Sequence, residues 1–187
     1  MTRAPGDAVI EIGGARLAEK WFDKICVLYD EVFSEAIFLS TKAPGATPQR
    51  QSLQRLMESD SFGVVTAHAD GELVGFAYGT TLPPDTRWWA GFLTPVAPDL
   101  TTEWAGRTFA LIDFAVRKSW RARGIGRSLH DTLLSSRPEE RATVAVRPSA
   151  TDTQRVYEHW GWQRVGRLSG APGDTASSFD IFVRALG

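Results

Sequence analysis

The sequence predicts an α/β fold, one domain with a mixed sheet and helices on both of its faces. Three observations predict it. A long stretch of helical periodicity in the first half leads into the signature of a two-stranded hairpin. The second half then reads strand, helix, strand, helix, strand, strand. No internal repeat and no linker composition separates the halves, so the 187 residues are expected to form a single domain, 1–187, burying on the order of 70% of the unfolded surface.

Val9 to Ile12 reads as a short strand. Leu17, Trp21, Phe22, Ile25, Leu28, Tyr29, Val32 and Phe33 then recur at helical spacing, with Glu19, Lys20, Asp23, Lys24 and Glu31 on the opposite face. Thr47 as cap and Pro48 at the first helical position open a second helix, with Leu53, Leu56 and Met57 on its buried side and an end near Asp60. Phe62 to His68 and Glu72 to Thr80 predict two strands joined by Asp70-Gly71, a dipeptide suited to the positive backbone angles of a tight hairpin turn. From Leu82 to Gly106 there are four prolines, Trp88, Trp89 and Trp104, and no sustained period. An irregular segment of that length is often functional.

Phe109 to Val116 is a nearly continuous apolar strand. Ile125, Leu129, Leu133 and Leu134 give the next helix one buried stripe, ending before Pro138. Thr143 to Val146 reads as a short buried strand. Pro148 and Ser149 are expected to open a further helix carrying Val156, Tyr157 and Trp160, and Gly161 is the small residue that stops it. Two strands, Trp162 to Arg167 and Phe179 to Val183, close the chain around a loop rich in Gly, Ala and Ser.

Composition narrows the function. The net charge is −1, which gives no global electrostatic reason to expect nucleic acid or an anionic membrane as partner. Cys26 is the only cysteine, so an internal disulfide and a multi-cysteine metal site are excluded, and Cys26 reads as buried helix filler. No window approaches the roughly 18 apolar residues of a membrane span, and the first fifteen residues carry no long apolar stretch. A soluble, unprocessed, cytoplasmic protein acting on small molecules is the expectation.

The most informative junction is Arg121-Ala122-Arg123-Gly124-Ile125-Gly126, between an apolar strand and a helix opening near Ile125. Glycine lacks Cβ, which frees the backbone and lets a ligand approach its N–H groups. The first helical turn leaves its amides without intrahelical partners and carries partial positive charge, so an anion fits there, pyrophosphate included. Arg117, Lys118, Arg121, Arg123 and Arg127 make this stretch basic in a slightly acidic chain. A Rossmann site fits less well, since Leu129 stands where a third glycine is wanted and Arg147 where the next strand should end in an acid.

The strand, the segment Arg121-x-x-Gly124-x-Gly126, the helix and strand after it, and the helix containing Val156-Tyr157-Glu158-His159-Trp160-Gly161-Trp162 together resemble the GNAT family of N-acetyltransferases. The close resemblance covers Phe109 to Arg167; the earlier helices and hairpin agree in order. It implies a mixed, mostly antiparallel sheet flanked by helices on both faces, acetyl-CoA as co-substrate and no metal. It also implies that backbone groups of Phe114, Ala115 and Val116 pair with the pantetheine arm. Amides of Arg123, Gly124, Ile125, Gly126, Arg127 and Ser128 would receive the pyrophosphate, with Arg121 opening the motif. Tyr157 would protonate or stabilise the departing thiolate. The acceptor implied is a primary amine of a small molecule or peptide, and a homodimer is left open. The chain departs from the family pattern at Ala150 and Thr153, where Asn and Ala are frequent.

Other residues are less decisive. His68, His130 and His159 make no metal-ligand spacing. Relatives that use a carboxylate or histidine on the strand before the glycine turn carry it at positions corresponding to Ala110 or Ile112, neither of which accepts a proton. Asp113 is one residue out of that alternation, so a strand aims it at the other face. Glu103, Asp99 and Asp85 stand as alternatives, as does a water chain. Trp88, Trp89 and Trp104 either wall an acceptor pocket or fill a core or dimer surface. A CoA-binding regulatory or interaction domain without transfer chemistry is the competing functional class.

Overall fold

The computed structural model describes residues 2–3, 8–33, 47–170 and 176–187. The chain forms two compact units that interleave in sequence: 1–39, 43–80 and 111–137 make the first, and 40–42, 81–110 and 138–187 the second.

The first unit contains β1 (Thr2–Arg3), β2 (Val9–Gly13), α1 (Ala15–Phe33), α2 (Thr47–Met57), β3 (Gly63–Ala69) and β4 (Glu72–Thr81). It also holds β5 (Thr108–Val116) from Leu111 onward and a 3₁₀ turn, Lys118–Trp120. The strands run in the order β1-β2-β3-β4-β5, with β1 to β4 paired antiparallel. The hairpin forms as expected: Ala69 faces Glu72, and Asp70 (φ 50°) and Gly71 (φ 78°) both take left-handed angles. The side chains of the expected cap, Thr47 and Pro48, lie outside the described residues.

Ala18, Trp21, Ile25, Leu28, Tyr29 and Val32 of α1 bury one stripe against Leu53, Val64, Leu73, Phe76, Tyr78 and Ala115. Burial of each large apolar side chain in such a cluster stabilises by about 1.5–3 kcal/mol. The other face of the sheet takes α4 (Ile125–Ser135), through buried Ile125, Leu129, Leu133 and Leu134. Gly75 explains how closely α4 sits, because a Cβ there would stand 2.9 Å from the Leu129 side chain. Gly75 and Phe76 are adjacent on one strand and so point to opposite faces, one toward α4 and the other into the α1 cluster.

The second unit holds the first residues of β5, then α3 (Pro98–Thr101), β6 (Arg141–Val146), α5 (Thr151–His159), β7 (Gln163–Ser169) and β8 (Ser178–Ala185). Its strand order is β5-β6-β8-β7, with β8 antiparallel to both β6 and β7. The fold is thus the expected α/β arrangement, a mixed sheet flanked by helices. Residues 171–175, in the Gly-, Ala- and Ser-rich loop before β8, lie outside the described residues.

The irregular segment before β5 is tied down at several points. Leu82 N–H donates to Thr108 O at 2.8 Å, Leu93 N–H donates to Arg167 O at 2.9 Å, and Phe92 bridges Leu168 of β7. One expected boundary moves. The helix read as opening at Pro148 and Ser149 begins at Thr151 instead, because Ala150 N–H closes a turn on Arg147 O at 3.0 Å. Gln154 Nε2 then donates to the carbonyls of Arg147 and Pro148, fixing those two residues outside the helix.

Candidate active site

In the first unit, β5 runs out through Phe114, half-buried, and Ala115 and Val116, both buried. Past its end, Arg117 N–H donates to Val74 O at 2.8 Å, and Arg121 Nε donates back to Val116 O at 2.9 Å. This clamp fixes where the turn leaves the sheet. Two residues then adopt left-handed angles, Ala122 at φ 58° and Gly124 at φ 79°. Such angles are uncommon outside glycine and cost an L-residue energy.

Gly124 caps α4 without a side-chain hydrogen bond, and its carbonyl accepts the first helical bond, from Ser128 N–H at 3.0 Å. By helix geometry the amides of the opening turn, Ile125 to Arg127, have no acceptor within the helix. Arg121, Ala122, Arg123 and Gly124 are exposed. An exposed turn that opens a helix at a glycine, with no side-chain cap of its own, fits a pyrophosphate.

The basic side chains around it have local work. Arg117 pairs with Glu31 at 3.1 Å, Arg127 with Asp131 at 2.5 Å, and the Arg123 guanidinium lies 4.8 Å from the Trp120 ring centre. Asp131 also meets His130 Nδ1 at 2.7 Å. Partial burial pushes the Asp131 carboxyl up, but the hydrogen bonds from Arg127 and His130 outweigh it and hold the group below its ordinary value. The anion-fitting feature is therefore first the backbone and only then the charge cluster.

Tyr157 belongs to the second unit. It sits on the last turn of α5 and is 4% exposed. Its ring lies edge-on to Trp162 at 5.4 Å and Trp160 at 6.1 Å, and tilted against Phe182 at 6.3 Å. Gly161 ends the helix at φ 85°, as expected. Gly161 N–H donates to Glu158 O and Trp162 N–H to Tyr157 O, each at 3.0 Å, with the Tyr157–Trp162 contact closing the motif from the side. The tyrosine is thus held by backbone and ring packing together.

The carboxylates separate clearly. Glu103 has a side chain 1% exposed and accepts from Arg141 Nη2 at 2.6 Å, Thr108 Oγ1 at 2.6 Å and Trp89 Nε1 at 3.0 Å, which makes it a structural anchor. Asp85 and Asp99 are exposed. Asp113 is half-buried and accepts a hydrogen bond from the Tyr78 hydroxyl, which in turn accepts one from Gln49 Nε2 at 3.3 Å. Burial first, and then the Asp113 charge, pushes the Tyr78 hydroxyl well above its ordinary value, so it stays a donor. Sequence reading missed Tyr78 and Gln49. The signal that existed was Asp113 itself, a lone acid in an apolar strand.

The tryptophans divide too. Trp89 is core, 6% exposed. Trp88 donates from Nε1 to Thr143 Oγ1 at 3.2 Å. Trp104 is 44% exposed and lies 4.0 Å from the Arg107 guanidinium. His130 is buried and satisfied by Asp131, and His68 lies 3.3 Å from Glu11 Oε2. Asp180, buried, accepts from Arg164, Arg167 and Gln154. A shallow depression lined by Leu93, Thr94, Glu158, Arg164 and Arg167 flanks these arginines. Among the described residues no group of three or more His, Cys, Asp or Glu is arranged to hold a metal ion, and no helix is long and apolar enough to cross a membrane.

A sequence model of the acetyltransferase (GNAT) family matches residues 23–162, well over half of the chain. The chain belongs to the GNAT acetyltransferase family. Solved GNAT-fold structures agree along nearly the whole length. An acetyltransferase of the family from Streptococcus agalactiae superposes with a TM-score of 0.69 at 12% identity, covering 98% of this chain and 98% of that one. The Ard1 protein from Thermoplasma volcanium gives 0.63 at 17% identity, covering 96% of this chain and 97% of that one. An aminoglycoside 6'-acetyltransferase of type Ii gives 0.64 at 17% identity, covering 95% of this chain and 97% of that one. At such identities the likeness speaks for the fold alone. No curated protein sequence matches the chain.

Proposed function

We propose that this GNAT-family chain is an acetyl-CoA-dependent N-acetyltransferase that moves an acetyl group to a primary amine of a small molecule or peptide within a ternary complex. The observation that carries this reading is the exposed left-handed turn ending at Gly124, which opens α4 with uncapped amides. Acetyl-CoA, when bound, supplies an activated acetyl thioester. Amides of Arg123, Gly124, Ile125, Gly126, Arg127 and Ser128 hold its pyrophosphate, with Arg121 fixing the turn against Val116. The backbone of Phe114, Ala115 and Val116 takes the pantetheine arm as an added strand would be taken. Tyr157 is the group that delivers its phenol proton to the leaving sulfur. No metal enters this scheme. A single cysteine, Cys26, whose burial pushes its thiol up, suits a cytoplasmic protein.

One observation favours a second reading, a CoA-binding module without transfer: Tyr157 is only 4% exposed, with the rings of Trp160, Trp162 and Phe182 beside it. Thiol release from acetyl-CoA across an amine and peptide panel separates the two. Amine-dependent turnover is expected; binding without turnover for any acceptor favours the module. Calorimetry with Gly126→Val tests the cofactor site, where the branched side chain crowds the turn and weakens acetyl-CoA by about 5- to 30-fold, the loss of a favourable helix-terminus anion contact. Unchanged affinity in the folded variant returns the glycines to a structural turn.

A further inference from the structure

Arg164 and Arg167 stand three residues apart on β7, a spacing that puts side chains on opposite faces of a regular strand. The pairing with β8 slips between Arg164 and Gly166, so Val165 is an extra residue, a β-bulge. Both guanidiniums thereby reach one carboxylate, that of Asp180, whose side chain is 2% exposed. Arg164 donates to Oδ1 from Nε at 2.9 Å and from Nη2 at 2.6 Å. Arg167 donates from Nε to Oδ1 at 2.8 Å and from Nη2 to Oδ2 at 3.0 Å. Burial pushes the Asp180 carboxyl up, but the hydrogen bonds from Arg167 and Arg164 outweigh it and hold the group below its ordinary value. Asp180 is thus a charged anchor that fixes both guanidiniums. One negative charge leaves one of the two positive charges unbalanced, and each arginine keeps N–H donors that no other acceptor among the described residues takes.

The depression that these two arginines line has a volume of about 690 Å³, and Glu158, Leu93 and Val165 line it with them. Glu158 is exposed on α5 and, among the described residues, pairs with neither arginine. Leu93 is 59% exposed, and its N–H donates to Arg167 O at 2.9 Å, which fixes it against β7. We propose that this depression binds an α-amino acid zwitterion with an apolar side chain. Its carboxylate takes the spare N–H groups of Arg164 and Arg167, its ammonium meets Glu158, and its side chain lies against Leu93 and Val165. The charges of Arg164, Arg167, Asp180 and Glu158 sum to zero, with the two signs held apart in one concavity. A free anion gains the arginines and is repelled by Glu158; a zwitterion satisfies both ends. Every residue of the site belongs to the second unit, and binding there needs no acetyl-CoA. The inference therefore goes beyond the acetyltransferase reading and does not depend on it.

The experiment titrates L-leucine into the full-length, nitrogen-15-labelled protein. Spectra follow the Nε–H groups of Arg164 and Arg167 and the backbone amide of Glu158. Sodium 4-methylpentanoate, which lacks the ammonium, and 3-methylbutylammonium chloride, which lacks the carboxylate, are the controls. Saturable shifts at all three groups with leucine, and weaker binding of each control, are expected. Arg164→Gln weakens leucine and 4-methylpentanoate alike by about 10-fold, the worth of a hydrogen bond to a charged group. Glu158→Gln weakens leucine alone by about 3- to 5-fold, the range of an exposed ion pair, and closes the gap between leucine and 4-methylpentanoate. It alters an exposed side chain and serves if Arg164→Gln does not fold. Unmoved resonances, equal binding of leucine and 4-methylpentanoate to the wild type, or unchanged leucine affinity in the folded variants overturns the proposal. Acetyl-CoA binding measured on the same sample keeps the two readings apart: bound acetyl-CoA with no leucine response removes this inference alone.

Discussion

Gly124 and Gly161 have nearly the same backbone angle, φ 79° and 85°, and opposite consequences. Gly124 opens α4 and leaves the helix's donors facing outward. Gly161 closes α5 and consumes its acceptors, since Gly161 and Trp162 N–H groups bond back to Glu158 and Tyr157. One junction is exposed and rich in arginine; the other is packed with rings. A left-handed glycine is thus neutral about function. What matters is which end of the helix it occupies and whether the groups it exposes are already spent.

The largest effect expected at either junction is at the packed one. Tyr157→Phe removes one hydroxyl and keeps the ring, so acetyl-CoA binding stays constant while single-turnover transfer falls by roughly 10- to 1000-fold, toward the range for losing a general acid. Wild-type single-turnover rates in the folded variant would make Tyr157 a packing residue and leave the α5 end purely structural.

Alanine at each glycine sharpens the contrast. Gly124→Ala and Gly161→Ala should each cost about 1–2 kcal/mol of stability in denaturant titrations, the penalty of an L-residue at a left-handed angle. Only Gly124→Ala should also weaken acetyl-CoA. Equal effects of both on acetyl-CoA affinity would erase the distinction between the junctions.

The smallest effect belongs to Asp131, which holds Arg127 beside the open turn. Asp131→Asn should cost less than about 1 kcal/mol, as expected for a half-exposed pair, and should tighten acetyl-CoA modestly by releasing Arg127. The pH sign follows from the lowered carboxyl. Its stabilisation is present above the unfolded value of about 4 and is lost as pH falls through the lower folded value. Wild type and variant should therefore converge in stability in acid, and a gap that widens there contradicts the ion pair.

Legibility in the sequence tracked the range of the interaction. The Asp70-Gly71 hairpin, the α1 stripe, the start of α4 at Ile125 and the stop at Gly161 all depend on neighbours within a few residues, and all were readable. The start of α5 was not. Pro148 suits a first helical position, but Ala150 closes a turn on Arg147, and Gln154 Nε2, which donates to the Arg147 and Pro148 carbonyls, is also held by Asp180, 26 residues on. Glu103 looked available as a base because nothing local announces Arg141, 38 residues on, or the Trp89 indole. The pairing of Tyr78 with Asp113, 35 residues apart, is hidden for the same reason.

The ring cluster around Tyr157 also has an optical consequence. The chain has three tyrosines and seven tryptophans. Two of those tryptophans stand 5.4 and 6.1 Å from the Tyr157 ring, so light absorbed by this phenol passes to indole before it is emitted. Loosening the end of α5 changes those separations and ring orientations, and with them the efficiency of that transfer. The helix that bears Tyr157 therefore carries its own unlabelled fluorescent reporter, sensitive to the packing that Gly161 secures.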